Sequence, residues 1–189
     1  MADHGRGWQI HLYAVVSADD CIADANGNMP KSLMNDADWQ YFQRELDSCA
    51  LVILGRHSHL AVPNAAKRHR VVMSRSVAGL NQRADAHWWN PDDLPLAKLL
   101  KLLVPTGGKI GVPGGQAVFE YFLKHQTDAF HLTRAPHVKL PGGRKLFSGR
   151  QSAERRLVKA GLAAAVSQML DHDTDMVLTV WHRARAAAK

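Results

Sequence analysis

Three short apolar runs each end in residues suited to holding an anion. Ile110 to Val112 ends in Pro113-Gly114-Gly115, and a helical pattern follows at once, with Val118, Phe119, Phe122 and Leu123 on adjoining faces. A strand, a tight glycine turn and a helix leave the first amides of the helix unpaired, and the helix dipole adds to their preference for negative charge. Two glycines also let a ligand approach the backbone without meeting a Cβ. A Gly-Gly pair is by itself an ordinary strand-to-helix turn; it gains weight from two further stretches. Ala50 to Leu54 ends in Gly55-Arg56-His57-Ser58, and Arg70 to Met73 ends in Ser74-Arg75-Ser76. Arg56 and Arg75 can each meet a phosphate, with Ser58, Ser74 and Ser76 adding hydroxyl donors. Strands that finish this way predict a single ligand edge, since open parallel sheets bind beyond their carboxyl ends.

The candidate acid is Asp36, at the first turn of a helical pattern that starts at Asn35 or Asp36 and carries Trp39, Phe42 and Leu46. A carboxylate there also suits the helix dipole, so a plain cap is the competing reading, and Asp38 is the alternative acid. The eleven histidines show no metal-type spacing, and Cys21 and Cys49 form neither a metal motif nor a disulfide framework, so no metal is expected. His131 reads as a hydrogen-bonded strand histidine, with pocket lining as its other reading.

Composition narrows the partners. The formal net charge of +7 implies an anionic partner, either nucleic acid or a phosphorylated small molecule. The chain carries no nucleic-acid motif, which leaves the small molecule. No apolar run approaches transmembrane length and Met1 to Gly7 lacks a signal-type core, so a cytoplasmic protein without a membrane partner is expected.

The elements that must position these residues read as follows. Trp8 to Val16, Ala50 to Leu54, Arg70 to Met73, Ala84 to Trp89, Ile110 to Val112 and Asp128 to Thr133 read as strands. Helices are expected from about residue 36 to Leu46, over Leu94 to Val104, and after Gly115. Ser17 to Pro30 is a long polar loop, of a length usually reserved for functional or mobile segments. Gly149 to Lys159 reads as a basic loop, Ala163 to Met169 and Met176 to Trp181 as a terminal hairpin, and residues 183–189 as a frayed basic tail. The expectation is one α/β domain over residues 1–189, with a core of about 8–182. Its central sheet is mostly parallel, with an antiparallel C-terminal edge hairpin and helices on both faces.

In this order and spacing the stretches resemble the dihydrofolate reductase superfamily, closest to the reductase domain of the bifunctional riboflavin-biosynthesis deaminase/reductase and its stand-alone relatives. The likeness runs from about Gln9 to Trp181. Met29-Pro30-x-x-Leu33-x-x-Asp36 looks like the family's substrate motif, and Gly55-Arg56-His57-Ser58 like its cofactor turn. Met73-Ser74-Arg75 stands where the adenosine 2′-phosphate is received. Pro113-Gly114-Gly115 matches a glycine pair that the family joins by a cis peptide. The resemblance implies a dihydrofolate-reductase-like fold and an NADPH-dependent oxidoreductase acting on a small-molecule substrate. It assigns Gly55, Arg56, Ser58, Ser74, Arg75, Gly114 and Gly115 to the cofactor. Met29, Lys31, Leu33, Arg68 and Thr133 fall to the substrate, and Asp36 to catalysis.

Within the superfamily two branches compete. Asp36 and Arg68 suit a folate-type enzyme, whereas Lys31 stands where that type has tryptophan. Ser17-x-Asp19-Asp20-x-Ile22-Ala23 and Pro136-x-x-x-Leu140-Pro-Gly-Gly-Arg-x-Leu-Phe147 look like the riboflavin-type reductases. No zinc signature of the deaminase kind is present. The leading reading is reduction of a pyrimidine or pterin-like heterocycle, like 5-amino-6-(5-phosphoribosylamino)uracil reduction. A dihydrofolate reductase is the second reading and a nucleotide binder without turnover the third. A homodimer is left open.

Overall fold

The structure is a computed structural model that describes residues 7–183; the basic tail expected beyond Arg183 lies outside the described residues. The strands are β1 (Trp8–Ser17), β2 (Cys21–Ala23), β3 (Leu51–Gly55), β4 (Arg70–Met73), β5 (Leu80–Gln82), β6 (His87–Trp89), β7 (Gly108–Gly114), β8 (Ala129–Ala135), β9 (Arg144–Lys145), β10 (Leu162–Asp171) and β11 (Met176–Arg183). The helices are α1 (Asp36–Asp47), α2 (Arg56–Ala61), α3 (Leu96–Leu103), α4 (Gln116–His125) and α5 (Ala153–Lys159), with a single 3₁₀ turn at Lys31–Leu33.

Nine strands form one sheet in the order β10-β11-β8-β1-β7-β3-β4-β6-β5. The run from β8 to β6 is parallel, β11 and β10 add antiparallel pairs at one edge, and β5 adds one at the other. Both edges are therefore antiparallel, where the sequence predicted only the C-terminal one. β5 is too short for any period to announce it, and so are β2 and β9, which pair apart from the main sheet.

Alternation assigns each strand's two faces. Ile10, Leu12, Leu51, Ile53, Ile110, Val112, Phe130 and Leu132 pack with α3 and α4 through Leu99, Leu100, Phe119 and Phe122. Tyr13, Val52 and Leu54 turn the other way, under Phe42 and Leu46 of α1. Gly111 is what allows α1 so close: a Cβ there would stand 2.8 Å from the Cys49 sulfur. The residues expected as a basic loop contain α5, capped by Ser152 and buried through Ala153 and Leu157. Arg155, Arg156 and Lys159 give that stretch its basic look, and a single apolar pair one turn apart is a faint signal beside them. β10 is exposed along most of its length and forms the outer edge of the sheet.

Candidate active site

The neighbours β1 and β7 send their helices to opposite faces, β1 to α1 and β7 to α4. Such a switch between faces marks the position, beyond the carboxyl ends of the two strands, where α/β sheets bind ligands. Sheet register brings the candidate cofactor residues to this edge. Leu54 pairs with Gly114, and Gly55 with Met73, which precedes Ser74 and Arg75. Gly115 caps α4, and a Cβ built on it would have Ser58 Oγ at 3.9 Å as its nearest neighbour, so the space above it is open. Gly114 differs: its φ is +112° and a Cβ would lie 2.7 Å from the Phe119 ring. Arg56 and Arg75 are exposed and form no ion pair among the described residues. Ser74 and Ser76 join hydroxyls at 2.8 Å. The Gly114–Gly115 peptide is trans, unlike the cis bond that the resemblance implied.

The structure sets the two candidate acids in different surroundings. Asn35, not Asp36, caps α1, accepting from the amides of Ala37 and Asp38 at 2.9 and 3.2 Å. Asp36 is exposed and lines a shallow recess shared with Asp171, whose carboxylate is a poor neighbour for a substrate-holding acid. Asp38 is the acid that turns toward the sheet, with the hydroxyl of buried Thr133 on β8 beside its carboxyl. Burial raises the Asp38 carboxyl pKa above its ordinary value, and the neighbouring Thr133 hydroxyl only partly offsets this.

Asp38 heads a polar row. Tyr41 and Glu45 follow it at helical spacing, and Thr133, His131, Tyr13 and His11 face them from alternate strand positions. Tyr41 bonds to His131 Nδ1 at 2.6 Å, and His131 Nε2 to His11 Nδ1 at 3.0 Å. Tyr13 and Lys109 both donate to Glu45, each at 2.9 Å. His131 is thus the hydrogen-bonded strand histidine of the first reading. Ligating atoms of His11, Glu45 and His131 lie within 4.8 Å of one another. Each is already committed to a hydrogen bond, and the Lys109 ammonium sits on the carboxylate. The three therefore form a closed network. The signal for the row was present in the sequence as polar residues 38, 41 and 45 on one helix stripe, opposite alternating polar positions on β1 and β8.

The row has a consequence in acid. Burial, then the neighbouring His11, lowers the His131 pKa to about 3, and burial followed by Lys109 lowers that of His11. A depressed folded-state value means that the unfolded chain binds more protons below pH 6.5, so stability falls as pH falls from there toward 3. Between pH 6.5 and 5 the His131 contribution alone is about 2 kcal/mol. Urea unfolding at pH 7.5 and pH 5 should show a loss of at least that order, and His131→Gln should remove most of the difference.

The expected substrate residues are scattered. Met29 and Lys31 are exposed, and Leu33 is wholly buried against Ala135 and Met176. Leu33 is therefore a core residue. Arg68 is spent on α1, with bonds of 2.6 Å to Asp47 and 2.7 Å to Gln43, so its guanidinium is not free for a carboxylate tail. The loop after β1 is tied down. Asp19 accepts from the Leu140 amide, and Arg134 bridges the Ser17 carbonyl, Asp20 and Glu154. Polar residues that read as a mobile loop are mutual partners across 114 to 121 positions of chain, which no local pattern reveals.

The architecture is the dihydrofolate-reductase-like fold. Among solved structures it resembles a diaminohydroxyphosphoribosylaminopyrimidine deaminase/5-amino-6-(5-phosphoribosylamino)uracil reductase from Thermotoga maritima. The TM-score is 0.64 and the identity 17%, over 95% of this chain and 57% of that one. The chain thus spans little more than half of that bifunctional protein. It also resembles a protein from Shewanella sp. PV-4 described as a riboflavin biosynthesis protein, with a TM-score of 0.61 and 18% identity over 94% of this chain and 99% of that one. No family model matches the sequence, and no curated protein matches it. Among the described residues no helix is long and apolar enough to cross a membrane.

Proposed function

We propose that the protein is an NADPH-dependent reductase of a pyrimidine or pterin-like heterocycle, on the riboflavin-type branch. The observation that carries this reading is the half-buried Asp38 carboxyl on Thr133, at the same strand edge as the Gly114–Gly115 turn. NADPH, when bound, supplies the hydride. The residues present fit such a cofactor. The open space over Gly115 leaves the amino end of α4 accessible, Ser58 offers a hydroxyl beside it, and Arg56, Ser74 and Arg75 provide charge and donors along the edge. Asp38 holds an amino-pyrimidine edge through paired hydrogen bonds. Burial makes it hold a proton more readily than an ordinary carboxyl, so it can assist protonation of the adjacent ring nitrogen. The Thr133 hydroxyl beside Asp38 favours the ionised carboxyl and so tempers the effect of burial. The likeness to the Thermotoga maritima and Shewanella proteins supports the riboflavin-type branch over the folate type. The occupied Arg68 guanidinium supports it too.

Selectivity for the phosphorylated cofactor is expected from Arg75. A charge-assisted hydrogen bond contributes roughly 1.5–3 kcal/mol, so Arg75→Ala should weaken NADPH binding about tenfold or more and leave NADH almost unchanged. Fluorescence titration with both cofactors reads this. Equal losses for the two would remove Arg75 from the site.

A further inference from the structure

A groove of about 500 Å³ lies at the opposite, amino-terminal end of β4 and β6, lined among others by Lys67, His69, Arg70, Arg83, Asp85 and His87. One of its lining residues carries an unusual charge. Arg70 is 7% exposed, and its Nε lies out of water with no partner. Nη1 donates to the Val62 carbonyl at 2.9 Å and lies 3.4 Å from His59 Nδ1. No carboxylate touches this guanidinium among the described residues. Asp85 is close enough for its charge to act on Arg70 but forms no ion pair with it, standing instead 3.3 Å from His59 Nε2. A buried cation without a directly paired anion is strongly disfavoured, and such groups are normally met by a counter-ion.

Other lining residues supply more positive charge. Arg83 is stacked over Trp88 at 3.9 Å, which fixes where its guanidinium stands, and Lys67 is an exposed residue of the same lining. Arg68 also lines the groove, but its charge is already paired with Asp47. The lining thus carries the charges of Arg70, Lys67 and Arg83 against the single carboxylate of Asp85. The cavity has the size of a small-molecule site. Ser74 and Arg75 stand at the far end of the four-residue strand β4, roughly 13 Å away, so the two anion-binding regions are separate.

We propose that this groove is a second anion site, for a small ligand of the phosphate or pyrophosphate class, with buried Arg70 and exposed Lys67 and Arg83 in its lining. The test is calorimetric titration of the full chain with inorganic pyrophosphate, first alone and then with saturating NADPH. One pyrophosphate should bind below millimolar concentration in both cases. The double variant Lys67→Ala/Arg83→Ala changes only exposed side chains, so it should fold. It should bind pyrophosphate at least tenfold more weakly and NADPH as the wild type does. No binding at millimolar pyrophosphate would overturn the proposal, and so would unchanged affinity in the double variant. Binding that NADPH displaces, or that Arg75→Ala removes, would place the anion in the cofactor cleft and overturn it too. The titration without NADPH keeps this result independent of whether the cofactor reading holds.

Discussion

Asp38→Asn is expected to leave a folded protein with unchanged NADPH affinity and a turnover lower by about 10²–10⁴, the range for loss of acid–base help. The substitution keeps the shape of the side chain and its capacity to bond Thr133. It removes the ionisable carboxyl alone. Stability should change little, because Asn35 is the residue that caps α1 and burial already disfavours the Asp38 carboxylate. Asp36→Asn is the matching control: its exposed side chain predicts wild-type turnover. Steady-state kinetics of the two variants separates the readings. Loss in Asp36→Asn with full activity in Asp38→Asn would return the acid role to Asp36.

Two adjacent glycines should respond in opposite ways. Gly114→Ala forces a methyl to within 2.7 Å of the buried Phe119 ring, at a φ of +112° that side chains rarely adopt. Overpacking and backbone strain together predict a destabilisation of roughly 2–5 kcal/mol, read by thermal or urea unfolding. Gly115→Ala meets nothing closer than Ser58 Oγ at 3.9 Å, so the fold should survive. Its methyl would occupy the space over the amino end of α4, and NADPH binding should fall tenfold or more. A folded Gly115→Ala protein with undiminished NADPH affinity would remove the glycine turn from the cofactor site.

The parts of this arrangement that were legible in the sequence are those written locally. Continuous apolar runs such as Leu51 to Leu54 announce strands covered on both faces, and the glycine turn before α4 announces a strand-to-helix junction. The order of these pieces was enough to give the parallel sheet and its C-terminal hairpin. What stayed hidden depends on contacts between distant stretches. Asp36 and Asp38 differ by two positions on one helix, and only the rotation of α1 on the sheet decides which meets Thr133. Asn35 competes for the cap with equal propensity, so composition could not separate it from Asp36. Arg68 looked free until α1 brought Asp47 and Gln43 against it. The burial of Arg70 was unreadable for the same reason: it opens β4 in an apolar run, and nothing nearby shows that it is buried without an ion pair.

The central claim is that the carboxyl edge of the sheet binds NADPH and uses it to reduce a heterocycle beside Asp38. The most direct measurement is NADPH consumption by the wild-type protein with the phosphoribosylamino-pyrimidine intermediate, run beside dihydrofolate. The expected result is consumption in a one-to-one ratio with pyrimidine reduced, with little or none on dihydrofolate. Binding of NADPH with no oxidation on either compound would contradict the claim and leave a nucleotide-binding protein without turnover.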